Sequence, residues 1–159
     1  MRNELAEILY QRYPAIFSEH IRLQGEKASW KIWCQDGWFD LIDTLCSQLQ
    51  YWTDTHNAPP YQVTAVKEKF GELRFVARYK SPEQIGAVKM AYAMSTRICE
   101  ACGASGRHVV AHGIWMTRCE LHMPDGAVAV DEYKKLLEAR QAGQSNADTK
   151  SNSQCPDFN

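Results

Sequence analysis

The sequence predicts an α+β protein in which helices pack on a β-hairpin and a small metal-stapled module follows them. Three observations predict it. Trp38, Ile42, Leu45, Leu49 and Trp52 recur at spacings of 4, 3, 4 and 3, the repeat of one buried helix face. Residues 61–79 alternate apolar and polar side chains in two runs around Phe70-Gly71, as the strands of a hairpin do. Cys99-Glu100-Ala101-Cys102-Gly103 and Cys119-Glu120-Leu121-His122 form two short ligand pairs with a loop between them. Each pair can clamp two adjacent corners of a tetrahedron, which suits Zn²⁺ and leaves no corner open to a substrate.

The elements follow in order. Residues 3–13 read as an amphipathic helix with Asn3 as N-cap, Leu5, Ile8 and Leu9 on one face, and Pro14 as its stop. Ile16, Phe17, Ile21 and Leu23 anchor a loop, and the alternation of Trp30, Ile32 and Cys34 with Lys31 and Trp33 predicts a short strand. Asp36-Gly37 opens the second, central helix, and Asn57-Ala58-Pro59-Pro60 ends it. In the hairpin, Tyr61, Val63 and Ala65 alternate with Gln62, Thr64 and Val66, and Leu73, Phe75, Ala77 and Tyr79 alternate with Arg74, Val76 and Arg78. Lys67, Lys69, Arg74, Arg78 and Lys80 could form a basic ridge on it, although a solvated sheet face is the favoured reading.

Ser81-Pro82-Glu83-Gln84 carries a capping box with proline at the first helical position. The helix it starts shows Ile85, Val88, Tyr92, Ser95 and Ile98 on one face and delivers the chain into Cys99. Val109, Val110, Ile114 and Trp115 predict a short hairpin between the ligand pairs, the layout of a treble clef or zinc ribbon. A last helix spans Val130 to Arg140 with Tyr133, Leu136 and Leu137 facing inward, and the polar tail from Gly143 is expected to be disordered. The chain therefore divides into a helix/hairpin core at 1–95, a zinc module with the C-terminal helix at 96–142, joined to the core as one compact unit, and a tail at 143–159.

One Zn²⁺ per chain, held by Cys99, Cys102, Cys119 and His122, is the expectation. His108 and His112 lie within the loop, and either could replace His122. Gly103 supports a knuckle, because the residue after the second cysteine often needs a positive φ. Of six cysteines, Cys34, Cys46 and Cys155 remain free. Cys46 falls on the helical stripe as a small buried hydrophobe, and Cys155 in the tail reads as an exposed thiol.

At 159 residues with 45% hydrophobic and 23% charged side chains, the chain has the composition of a globular protein with its own core. It contains neither an apolar run long enough to span a membrane nor a signal-peptide pattern, so a reducing cytoplasm is expected, where cysteine pairs bind metal. The net charge of −1 is uneven, with residues 57–122 mildly basic. A dedicated nucleic-acid binder carries a stronger basic stripe.

The order of motifs resembles a family of small, mostly uncharacterised proteins of tailed phages and prophages. The elements that carry the resemblance are Tyr13-Pro14-Ala15-Ile16-Phe17, Asp36-Gly37-Trp38 with Leu41-Ile42, the segment Val66 to Phe75 around Lys67-Glu68-Lys69-Phe70-Gly71, Cys99-x-x-Cys102-Gly103, Trp115 and Cys119-x-x-His122. The resemblance implies a phage-encoded protein in the host cytoplasm and brings no catalytic residues with it.

The expected function is accordingly a non-enzymatic accessory protein that binds a host or phage protein, for example to block a host defence or regulatory system. The alternative is nucleic-acid binding, with Arg74, Arg78, Arg107 and Arg118 on phosphates and Trp115 stacking; the surface of interest on either reading comprises Lys67, Lys69, Arg74, Arg78, Arg107, Trp115 and Arg118. A zinc deaminase would need His-x-Glu before Pro-Cys-x-x-Cys, and Ile98 stands where that proline would be. A small metal-dependent nuclease with His108 or His112 as general base lacks an acidic residue beside either histidine.

Overall fold

The computed structural model describes residues 1–18, 31–77 and 81–151, with side chains as far as 141. The expectations for Ile21, Leu23, Trp30, Arg78, Tyr79, Lys80 and Cys155 lie outside the described residues. The chain runs α1 (Asn3–Arg12), β1 (Ile32–Trp33), a 3-10 turn (Asp36–Trp38), α2 (Phe39–His56), β2 (Val63–Lys69), β3 (Glu72–Ala77) and α3 (Pro82–Ser95). Then follow β4 (Arg107–Ala111), β5 (Ile114–Arg118), a second 3-10 turn (Glu120–His122), β6 (Val128–Ala129) and α4 (Val130–Ser151). The architecture is mixed α+β, with two three-stranded sheets in the orders β1-β2-β3 and β5-β4-β6.

The first sheet sets the core. β1 runs parallel to β2 and β2 antiparallel to β3, so Ile32, Val66 and Phe75 lie in one cross-strand row and are all buried. The next row, Trp33, Lys67 and Arg74, turns the other way because successive residues of a strand alternate faces. On the inward side α2 contributes Ile42, Leu45, Cys46 and Leu49 behind Trp38 of the 3-10 turn, while Trp52 at the end of the stripe is half-buried. Leu9 and Tyr10 of α1, Phe17, Tyr61 and Val88 and Ala91 of α3 complete this core. α2 ends where Asn57 takes a left-handed conformation ahead of Pro59-Pro60.

Several local expectations meet tertiary contacts that override them. α1 has no side-chain cap of its own, and Asn3 is its first helical residue. The carboxylate of Asp36 instead accepts the Arg2 backbone amide at 2.7 Å and its guanidinium at 2.5 Å, while the terminal amine bonds the Cys34 carbonyl.

The capping box at Ser81 and Gln84 is present, but Ile85 is exposed and Gln84 is wholly buried in its place. The Gln84 amide donates to the Pro59 carbonyl at 2.7 Å, and that bond fixes which side of α3 faces inward. Leu136 and Leu137 are likewise exposed, because α4 packs on the second sheet only through its first turn, around Val130 and Tyr133. The helix runs on to Ser151, past Gly143 where the sequence predicts a tail without structure. A single glycine costs a helix only about 1 kcal/mol, and no proline stands between Val130 and Ser151. Among the described residues no helix is long and apolar enough to cross a membrane.

Candidate metal centre

Ligand atoms of Cys99, Cys102, Cys119 and His122 all lie within 4.8 Å of one another. Cys102 Sγ is 3.6 Å from Cys119 Sγ, and His122 Nδ1 is 3.2 Å from Cys119 Sγ and 3.8 Å from Cys99 Sγ. A tetrahedral ion with bonds of about 2.3 Å to sulfur and 2.0–2.1 Å to nitrogen has edges of roughly 3.5–3.8 Å. The four donors are close enough together to hold a metal ion, and three of their separations lie near those edges. His108 and His112 are not part of the cluster: His108 Nε2 bonds the Phe70 carbonyl at 2.7 Å, and His112 sits in the turn at the far end of the β4–β5 hairpin.

The chain reaches this geometry through a knuckle. Gly103 has φ +80°, and its amide returns to the Cys99 carbonyl at 2.8 Å, while the Cys99 amide bonds Ala104 at 2.8 Å. The curl turns backbone amides onto sulfur. Burial alone would raise the Cys99 thiol, but amides of Cys119, Cys102 and Ala101 outweigh it and bring the pKa down to about 7. The Ala104 amide pulls Cys102 downward, yet desolvation and the neighbouring Cys119 and Cys99 sulfurs leave that thiol raised. A bound cation relieves this crowding by replacing the protons the sulfurs share. Cys34 and Cys46 differ: burial pushes Cys34 up to about 12 and Cys46 well above its ordinary value, so both are inert thiols of the core.

Both ligand pairs are seated on the first sheet's side of the molecule. A Cβ on Gly37 would lie 2.3 Å from the Cys99 carbonyl oxygen, 2.4 Å from the Gly103 nitrogen and 2.6 Å from the Cys102 nitrogen. The knuckle thus rests directly on the Asp36–Trp38 turn. The Gly37 amide donates to the Glu100 carbonyl at 2.8 Å, and Trp38 Nε1 donates to the Ile98 carbonyl at 2.9 Å. Glu100, buried between the two knuckle cysteines, accepts the Gln35 amide at 3.0 Å and pairs with Arg118 at 3.2 Å. At the second pair, Thr117 is buried and donates to the Gly71 carbonyl at 2.8 Å. Gly71, at φ +72°, faces the His108 ring, which a Cβ would meet at 2.6 Å.

The residues singled out as an interaction surface are scattered. Lys67, Lys69 and Arg107 are exposed. Arg74 pairs with Glu72 at 2.8 Å and lies over the Tyr92 ring, and Arg118 is held by Glu100, so neither is an unengaged cation. Trp115 is half-buried, edge-on to His108, Phe70 and Tyr133 at 5.7, 6.0 and 6.3 Å, with Lys134 over its ring. Arg78 lies outside the described residues. Sequence reasoning missed Glu100 and the contact role of Gly37, for which only the position of Glu100 inside the Cys-x-x-Cys gave any signal. A scan against protein-family models, a search of curated proteins and a search of solved structures each return no match.

Proposed function

We propose that this chain is a zinc-binding, non-enzymatic accessory protein, phage-encoded and active in the host cytoplasm, that binds a host or phage protein and so inhibits a host defence or regulatory system. The observation that carries the first half is the closed set of two thiol-bearing pairs, three sulfurs and one imidazole nitrogen at tetrahedral separations with amides aimed at the sulfurs. Such a donor set favours Zn²⁺ over harder cations and leaves no position for water or substrate, so the ion is structural. The module is treble-clef-like: knuckle, β4–β5 hairpin, then a helical turn that carries the second pair.

Docking on a protein rather than catalysis is supported by that closed shell. The zinc module is a poor place for nucleic acid, since Arg118 is spent on Glu100 and Trp115 is packed among other rings. Elemental analysis of the purified chain is expected to find about one zinc per chain, lost in Cys102→Ser. Affinity capture from host lysate with mass spectrometry should recover one stoichiometric protein. A metal-free wild type would sink the zinc reading, and a chain that comes down alone from every lysate would sink the docking reading.

A further inference from the structure

Among the described residues the outward face of the first sheet carries exposed side chains whose composition the metal site does not explain. Trp33 is 65% exposed, on an edge strand of only two residues. Register places it beside Lys67, and Lys67 beside Arg74, so an indole, an ammonium and a guanidinium stand in one row across three strands. That row spans two strand spacings, roughly 10 Å. The next outward pair is Lys69 opposite Glu72, and the pair on the other side is Ala65 opposite Val76. Three cations therefore face one carboxylate on a chain whose net charge is −1. Glu68 alternates with Lys67 and Lys69 along β2, and its carboxylate is turned to the hairpin end, where it accepts the Gly71 amide at 2.6 Å.

A second observation comes from the turn. Phe70 has φ +57°, the first residue of a two-residue turn closed by Gly71 at +72°. Such turns prefer Asn, Asp or Gly, and a bulky residue there is an outlier that marks function. The ring is 56% exposed, with Lys69 Nζ 5.2 Å from its centroid. Three residues of strand separate it from the Trp33–Lys67–Arg74 row, roughly 10 Å. An exposed indole and a half-exposed phenyl ring, the latter edge-on to Trp115, thus flank the lysines of this sheet face.

We propose that this face binds single-stranded nucleic acid, with Trp33 and Phe70 each stacking a base and Lys67 and Lys69 on phosphates, while Arg74 stays engaged with Glu72 and Tyr92. Stacking suits unpaired bases of any sequence, and a sheet face with aromatics between cations is a platform for it. Duplex bases are already stacked on each other and have no open face to offer. The proposal does not rest on the protein-docking reading, although the turn that carries Phe70 is held by His108 and Thr117 of the second sheet.

The test is fluorescence anisotropy of the full chain with labelled 15-nucleotide oligo(dT), oligo(U) and a 15-base-pair duplex. Single strands are expected to bind more tightly than the duplex, and the dT and U arms tell DNA from RNA. Two phosphate contacts give a log–log salt slope of about −1.4, so affinity falls about 7-fold between 50 and 200 mM salt. Trp33→Ala should weaken binding at least tenfold and Trp33→Phe much less, with little change in thermal midpoint because the indole is exposed. Phe70→Asn suits the left-handed turn, so it should keep the fold while weakening binding. Lys67→Gln with Lys69→Gln should flatten the salt slope by about 1.4. Lys89→Gln, exposed on α3, is the neutral control. Equal or tighter binding of duplex, no binding at 50 mM salt, or unchanged affinity in both Trp33→Ala and Phe70→Asn would overturn the proposal.

Discussion

Gly37→Ala isolates the seat of the knuckle. The added methyl would sit 2.3, 2.4 and 2.6 Å from three backbone atoms of the Cys99–Gly103 segment, where ordinary contacts begin near 3.4 Å. Backbone cannot swing aside as a side chain does, so the knuckle must lift by roughly 1 Å. Overpacking of this kind costs about 1–3 kcal/mol. The lift also stretches the 2.8 Å bond from the Gly37 amide to Glu100, worth about 1 kcal/mol more. A penalty of about 2–4 kcal/mol falls on the arrangement that brings Cys99 and Cys102 to Cys119. At about 1.4 kcal/mol per decade, metal affinity drops roughly 30- to 700-fold. Competition against a chromogenic chelator measures it. Gly86→Ala is the matched control: nothing lies within 4 Å of its Cβ and it sits in α3, so it should gain up to about 1 kcal/mol and leave affinity alone. Affinity of Gly37→Ala within twofold of wild type would refute the reasoning, as would a loss of stability with affinity intact.

Three further outcomes follow from the same contacts. Glu100→Ala strands the Arg118 guanidinium and the Gln35 amide, and should lower stability by about 3 kcal/mol in urea titration, with Glu100→Gln costing less. Ser81→Ala removes the side-chain half of the α3 capping box and should cost about 1 kcal/mol in the same titration. Burial pushes Tyr10 up to about 12 from an ordinary 10, so the folded state holds that proton more tightly than the unfolded one. Its contribution is fully present below pH 10 and is lost as pH rises towards 12; chemical denaturation at pH 8 and pH 11 should show the decline, and equal stability at both would contradict it.

What the sequence made legible was local. The α2 stripe, the alternation of β3 and the Ser81 box each arise from neighbours a few residues apart, and each is where periodicity placed it, whereas an irregularity between Val63 and Ala65 turns Val66 inward where alternation placed Ala65. The ligand cluster was legible because thiolate and imidazole pairs have few other uses in that spacing. What failed was decided by partners far along the chain. Ile85 yields its inward place to Gln84 because a carbonyl 25 residues away accepts the amide. Arg118 looked like a free cation because Glu100, 18 residues earlier, meets it only once the hairpin has formed. Gly37 reads as a helix start in sequence, and nothing near it announces that the knuckle will rest there.

The two ligand pairs are anchored differently, and this links the metal to the sheet face. Cys99 and Cys102 rest on the Asp36–Trp38 turn through Gly37 and Glu100. Cys119 ends the strand whose Thr117 holds the Gly71 carbonyl, while His108 of β4 holds the Phe70 carbonyl. An ion that joins the pairs therefore also steadies the Phe70-Gly71 turn, which has φ values that an unsupported chain avoids at a cost of about 1–2 kcal/mol for the phenylalanine. Trp33 takes its position from pairing with β2, away from that turn. Chelation should then weaken single-strand binding by the factor that Phe70→Asn does, and should leave the Phe70→Asn variant's own affinity unchanged. If chelation weakens that variant as much as wild type, the metal acts on the whole fold and the path through Thr117 and His108 is wrong.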